Sequence, residues 1–390
     1  MAQAGVNPQV WSGAVAAPSA RDLRIDFWRG AALLAIFVNH IPGNIFEPLT
    51  WRNFGLSDAA ELFVFLAGFS AALAYFPKFL AGDHWRQTWR SLSRAASLHV
   101  THVVSLVACI ALFGIAADAF DDPSYLQMNN IGPVIDDPLA GVIGIATLGH
   151  QIGYFNILPM YVVMLAALPL IMLLARIDLM LPLFAATGLY VAANLAGWNL
   201  PHYPNDDHWF FNPLAWQLLF VIGFTLGAVA RSGAKIPFNS LIYWLAAAYL
   251  VASLIIAVGY DYVVPAVPGV PSFLVALDKT NLSLPRLLHI LALAYVVAHT
   301  PAVTRALTAL RPDNAMVALG RNALPVFCTG SLLSMVGLLL RERYGSHALL
   351  DLAIVGAGFL LLVGLVRALD WSRRQSRPSH ARVSLPLSTG

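Results

Sequence analysis

Long apolar blocks separated by short polar segments set the pattern of this chain. Most blocks run for about 20 residues, enough to cross a hydrocarbon layer of ~30 Å as a helix. Ten such blocks are read, at about 27–47, 57–77, 96–116, 154–175, 179–197, 212–230, 239–259, 284–300, 317–340 and 348–369. The 179–197 block, short and rich in Ala and Gly, is the weakest. None alternates like a barrel strand, and a helix satisfies its own backbone in lipid. The expected fold is therefore an all-α polytopic membrane protein of about ten transmembrane helices. Residues 1–20 read as a flexible tail, 21–371 as one transmembrane domain and 372–390 as a second tail.

Composition agrees with the pattern. Of 390 residues, 58% are hydrophobic and 11% charged, against about a quarter charged in a soluble domain. The net charge of +3 does not argue for nucleic acid, but its placement orients the chain. Alternating the loops puts 18 of the 23 Lys and Arg on one side, which the positive-inside rule makes cytoplasmic, both termini included. Only Arg52, Lys279, Arg286, Arg341 and Arg343 fall on the other side. Cys109 and Cys328 lie within apolar blocks and read as packing thiols. No metal-binding, phosphate-loop or nucleic-acid motif is present.

Within this frame the stretch Arg21–His40 stands out, because it carries titratable groups into an apolar helix. Arg29 and His40 are eleven residues apart, so they share a face and are separated by ~16 Å along the axis. Pro42 cannot donate to the carbonyl of Val38, so the helix is expected to kink or unwind beside His40. Irregular backbone at membrane depth survives only against protein or a water-filled cavity. His40 is then a candidate general base, or else a neutral imidazole satisfied by a helix neighbour beside a simple kink. Asp26 is placed to pair with Arg29 or to support the helix start.

In the next block, LSDAAELFVFLAGF, Asp58 and Glu61 share a face. Glu61 is a candidate to orient the His40 imidazole, with a headgroup-layer position as the alternative; Asp58 reads as a helix cap. Gly68 and Ala72 have the small-xxx-small spacing of a close helix crossing. The loops opposite the basic side carry aromatics, amides and acids, as in WNLPHYPNDDHWFF. Such groups suit a sugar-like acceptor, and equally an interfacial aromatic belt. His150 and His208, with Asn44 and Tyr161, are candidate substrate contacts. An arginine cluster on the basic side, including Arg94 and Arg321, is a candidate phosphate-binding surface; ordinary positive-inside charge is the alternative.

The pattern R-x-x-D-x-x-R-G, an apolar run and then His, resembles the acyltransferase-3 superfamily of membrane acyltransferases. NHIPGNIF, SDAAELFVFLAG, FNILPMYVVML, FNPLAWQLLFVIG and LGRNALPVF, in that order, resemble its OpgC-type subfamily, named for succinylation of osmoregulated periplasmic glucans. The resemblance runs from about Arg21 to Leu369. It implies an inner-membrane enzyme that moves an acyl group from cytoplasmic acyl-CoA, succinyl-CoA if the subfamily's namesake is representative, to a periplasmic carbohydrate. It further implies that His40 acts as base and Arg29 engages the donor, with Asp26 and Glu61 at acidic positions of unsettled role. Ala67 departs from the pattern, since many members carry Ser there. A proton-coupled carrier using His40 and Glu61 is the competing class; the sequence shows no inverted repeat. Apart from the bilayer and these two substrates, no partner or permanent cofactor is expected.

Overall fold

The computed structural model describes residues 21–259 and 269–375. The expected tails at 1–20 and beyond Gln375, and Tyr260 and Tyr262 of the proline-rich loop, lie outside the described residues. Among the described residues the regular elements are all helices, apart from one isolated bridge between Pro201 and His208. The principal helices are α1 (Leu23–Asn39), α2 (Ala59–Leu80) and α3 (His84–Ala119). Two short helices follow, α4 (Gly132–Asp136) and α5 (Pro138–Ala146), then α6 (Ile157–Ile177), α7 (Met180–Ala196), α8 (Pro213–Arg231) and α9 (Ser240–Gly259). The chain continues with α10 (Leu284–His299), α11 (Pro301–Thr308), α12 (Ala315–Arg321), α13 (Ala323–Tyr344) and α14 (Ala348–Gln375).

Each of the ten expected blocks falls on a helix. Seven helices among the described residues are long and apolar enough to cross a membrane, or eight if α10 and α11, bent by 74°, form one broken span. α1 and α7 have 17 residues each, about 25 Å of helix, and are short for a ~30 Å layer. The protein is a polytopic helical membrane protein.

Two expected spans are interrupted. The block 27–47 ends as helix at Asn39, with His40 as its C-cap. Pro42 breaks the ladder, and Asn44 then replaces it locally: its Nδ2 donates to the carbonyls of Val38 and Ile41 at 2.9 and 2.6 Å, and its Oδ1 accepts from Phe46 N–H. Arg341 and Asp351 pair in a buried site beside this turn. Arg341 donates to Gly43 O at 2.9 Å, and Asp351 accepts from Ile45 N–H at 2.9 Å. The block 317–340 is broken at Asn322, whose φ of −108° and ψ of 38° leave the helical region. Pro325, lacking an N–H, follows.

The core is built by close crossings. A Cβ at Gly68 would lie 1.9 Å from the carbonyl oxygen of Phe220, and one at Gly30 would lie 1.9 Å from that of Met316. α2 therefore sits directly against α8, and α1 against α12. Without a hydrophobic gradient between helices in lipid, such backbone proximity is a main source of association. The loop of residues 120–156 packs as a cap on α3 and α13, burying Tyr125, Ile131, Ile152 and Phe155 against Leu106, Phe113 and Met335.

Candidate functional site

Two cavities lie one above the other between α1, α2, α6 and α13. The first has a volume of about 500 Å³ and is lined by Arg29, Arg94, Arg321 and Arg373, with Ser70, Tyr75, Tyr161 and the segment Gly320–Pro325. Among the described residues no acidic side chain lines it. Arg321 pairs with Asp370 behind the wall, and Arg373 lies 4.0 Å from the same carboxylate. Among the described residues Arg29 and Arg94 have no carboxylate partner; Arg29 reaches only the carbonyl of Leu66, at 3.5 Å. The interrupted helix contributes directly, since Ala323 and Leu324 present the start of α13 to this space. Their N–H groups have no carbonyl one turn back within the helix. Buried Asn322 adds an Oδ1 with no partner among the described residues. The cavity is suited to an extended anion with amide or phosphate groups.

The second cavity, of about 290 Å³, contains His40, Asn39, Arg52, Asp58, Lys279 and Tyr154 with Phe210 and Phe211. The His40 ring stands 4.5 Å from that of Tyr154. Its Nδ1 is buried and has no hydrogen-bond partner among the described residues. Ending α1 one residue earlier puts this imidazole on the turn, facing a cavity, instead of deep within a helix. Asn39 Oδ1 accepts from Thr50 Oγ1 at 2.7 Å, which fixes the amide beside His40.

Behind that cavity lies a charge cluster. Asp58 caps α2 and accepts from Ala60 N–H at 2.8 Å, while Glu61 closes the capping box by accepting from Asp58 N–H at 2.9 Å. Lys279 Nζ reaches Asp58 at 2.5 Å. Arg286 reaches Glu61 at 2.6 Å and Asp58 at 3.6 Å. Glu61 is fully buried. Its hydrogen bonds run to Arg286 and the helix start, not to His40, which corrects the expected Glu61–imidazole contact. The capping geometry turns the carboxylate away along α2, and a buried arginine offers a stronger partner than a neutral ring.

The remaining expected residues separate. Asp26 pairs with Arg21 at 2.5 and 2.9 Å instead of with Arg29, because Arg29 points into the basic cavity. Tyr161 joins the basic cavity and not the histidine cavity. Asn44 spends its side chain on the turn described above. His150 is fully buried in the cap, its Nε2 donating to Asn130 O at 2.8 Å, and lines neither cavity. His208 is exposed beside the bridge to Pro201. Lys279, Arg286 and Asp351 were not singled out as site residues. A signal existed for the first two: both are cations on the side otherwise poor in them. No group of three metal-ligating side chains occurs among the described residues.

An arginine-lined cavity thus adjoins a histidine cavity within the helical bundle. The sequence model of the OpgC protein family matches residues 21–374, and the chain belongs to that family. Membership supports a membrane acyltransferase activity in general terms. Neither the curated proteins nor the solved structures contain a match.

Proposed function

We propose that the protein is an inner-membrane O-acyltransferase that carries an acyl group from cytoplasmic acyl-CoA to a hydroxyl of a periplasmic glucan or related glycoconjugate. Succinyl is the first acyl group to test, from the family's namesake. In this reading α1 and α7 also cross, giving ten spans with both termini cytoplasmic. The transmembrane domain then occupies about 21–371, flanked by the two tails. The basic cavity opens to the cytoplasm and holds the donor through Arg29, Arg94 and Arg321. The histidine cavity opens to the periplasm and holds the acceptor.

The observation that carries this reading is the placement of His40. Its free ring nitrogen borders the second cavity, directly above the arginine-lined first. The acceptor hydroxyl gives its proton to the imidazole as its oxygen attacks the thioester carbonyl. Asn39 is placed to donate to the developing oxyanion. The C–S bond breaks, and the thiolate leaves as a thiol with the proton from the imidazolium. A thioester is already activated, so no enzyme-bound acyl group is required. Asp58 lines the acceptor cavity with Lys279, while Glu61 acts at a distance by holding Arg286 behind it.

Inverted membrane vesicles loaded with candidate glycans and given labelled acyl-CoA outside test the proposal. Acyl product made by the wild type should fall by at least ~100-fold in His40→Ala, the scale of a lost general base, at equal protein level. Normal acylation by that variant would remove His40 from the mechanism. Solute movement without acyl product would instead identify a carrier.

A further inference from the structure

The two cavities are separate spaces, and the residues Ile157 and Phe327 line both. Along α1 the lining passes from Arg29 to Ile36, and along α2 from Phe63 to Ala60. Both helices change cavity at the level of these two side chains. Ile157 and Phe327 are 5% and 3% exposed, so they form a closed apolar partition between the arginines and His40. Each sits close to a helix start: Ile157 opens α6, and Phe327 follows the break at Asn322 by five residues. The Ile157 N–H is a first-turn group with no intrahelical partner to lose, so a small shift at that end of the partition costs less than one in mid-helix.

We propose that the acyl group reaches His40 between Ile157 and Phe327, and that the bulk of this pair selects which acyl groups are transferred while keeping water from the thioester. The inference rests on the donor–acceptor reading above. A thioester held by the arginines must bring its carbonyl to the level of His40, and the partition lies on that line. A compact acyl group passes with a side-chain rotation, whereas a bulky one must overpack a fully buried site. Removing the partition joins the thioester to the wet cavity. Water can then attack the carbonyl: a C–O bond forms, the C–S bond breaks, and the thiolate takes the released proton, giving free acid and CoA.

The test uses the full chain in vesicles, with Phe327→Ala, Phe327→Trp and Ile157→Ala beside the wild type. Acyl transfer and acceptor-free CoA release are followed for acyl-CoAs of increasing bulk. Phe327→Ala and Ile157→Ala should raise CoA release relative to transfer by about tenfold and favour bulkier acyl groups by a similar factor, the scale set by one or two methylenes in a pocket. Phe327→Trp should narrow the preference to the smallest acyl group. Phe327→Leu and Ile157→Val give the same trends at smaller size if the alanine variants fail to accumulate. Folded variants with unchanged preference and unchanged release-to-transfer ratio would overturn the partition while leaving the acyltransferase reading intact. A wild type that transfers no acyl group to any acceptor would sink that reading and the partition with it.

Discussion

The two cavities treat charge in opposite ways. The basic cavity presents four arginines with no acidic residue in its lining, and Arg29 and Arg94 have no carboxylate partner among the described residues. In the histidine cavity each cation is engaged: Arg52 with Glu47 at 3.0 Å, and Lys279 with Asp58. Arginines left without counter-charge lie ready for a ligand that brings its own negative charge. Under the proposed function, cations already neutralised serve as walls, fixing shape and supplying hydrogen bonds for a polyol, and the contrast separates a donor-binding surface from an acceptor-shaping one.

The largest expected effect lies in the neutralised region. Arg286→Ala would leave Glu61 buried without its partner, a loss of about 3–5 kcal/mol. Folded protein should fall sharply, as read by thermal denaturation in detergent, and Glu61→Gln/Arg286→Met should restore much of the stability. Recovery of stability without recovery of acyl transfer would show that the pair shapes the site as well as holding the helices. Equal stability of Arg286→Ala and wild type would mean that water reaches Glu61.

In the basic region, substitution should cost binding and spare the fold. Arg29→Ala and Arg94→Ala should each raise the apparent KM for the donor by about 10–100-fold, the scale of one charge-assisted hydrogen bond, with little change in Tm. The KM for the acceptor should stay near wild type. Lys279→Ala should do the reverse, raising the acceptor KM severalfold and leaving the donor KM alone. Were both cavities to respond alike to either substrate, the division between them would fail.

Much of this contrast could be read from sequence, though unevenly. Apolar block length located every principal helix, because a lipid-spanning segment must satisfy its own backbone. Pro42 announced the break beside His40. Its consequence, an imidazole at a C-cap facing a cavity, depended on Asn44 and on Arg341 with Asp351, the latter pair about 300 residues distant in the chain. The break at Asn322 had a signal too, in Arg321, Asn322 and Pro325 of LGRNALPVF, but the apolar residues on either side make 317–340 read as one block. Pairing was the least legible feature. Asp26 and Glu61 each had a plausible partner nearby in sequence, yet Arg21 and the remote Arg286 took them. The best unused clue was the set of five cations on the side poor in them. Arg52, Lys279, Arg286 and Arg341 are all in ion pairs with acidic residues around the histidine cavity or the turn beside it. A cation that breaks the positive-inside rule needs a local reason, and here each of these four has one.

The smallest expected effect concerns the cap above the histidine cavity, residues 120–156, which carry four aspartates and no Lys or Arg. His150 and His202 face each other there, ring centres 5.2 Å apart. Burial holds both below the ordinary histidine range, against the smaller opposing pull of their hydrogen bonds. His202 Nε2 accepts from Gln151 N–H at 3.1 Å, a bond that only the neutral ring can make. In the unfolded chain both rings would take a proton near their ordinary value of about 6.5. The folded cap takes it only at lower pH. The unfolded state therefore binds more protons across that interval, and cap stability falls as pH drops below about 6.5. Limited proteolysis within residues 120–156 should be slower at pH 7.5 than at pH 5.5. His202→Gln, which cannot gain a proton, should reduce that difference, and His150→Gln with His202→Gln should flatten it while the donor KM stays unchanged. A pH response that persists in the double variant would place its origin outside these two rings.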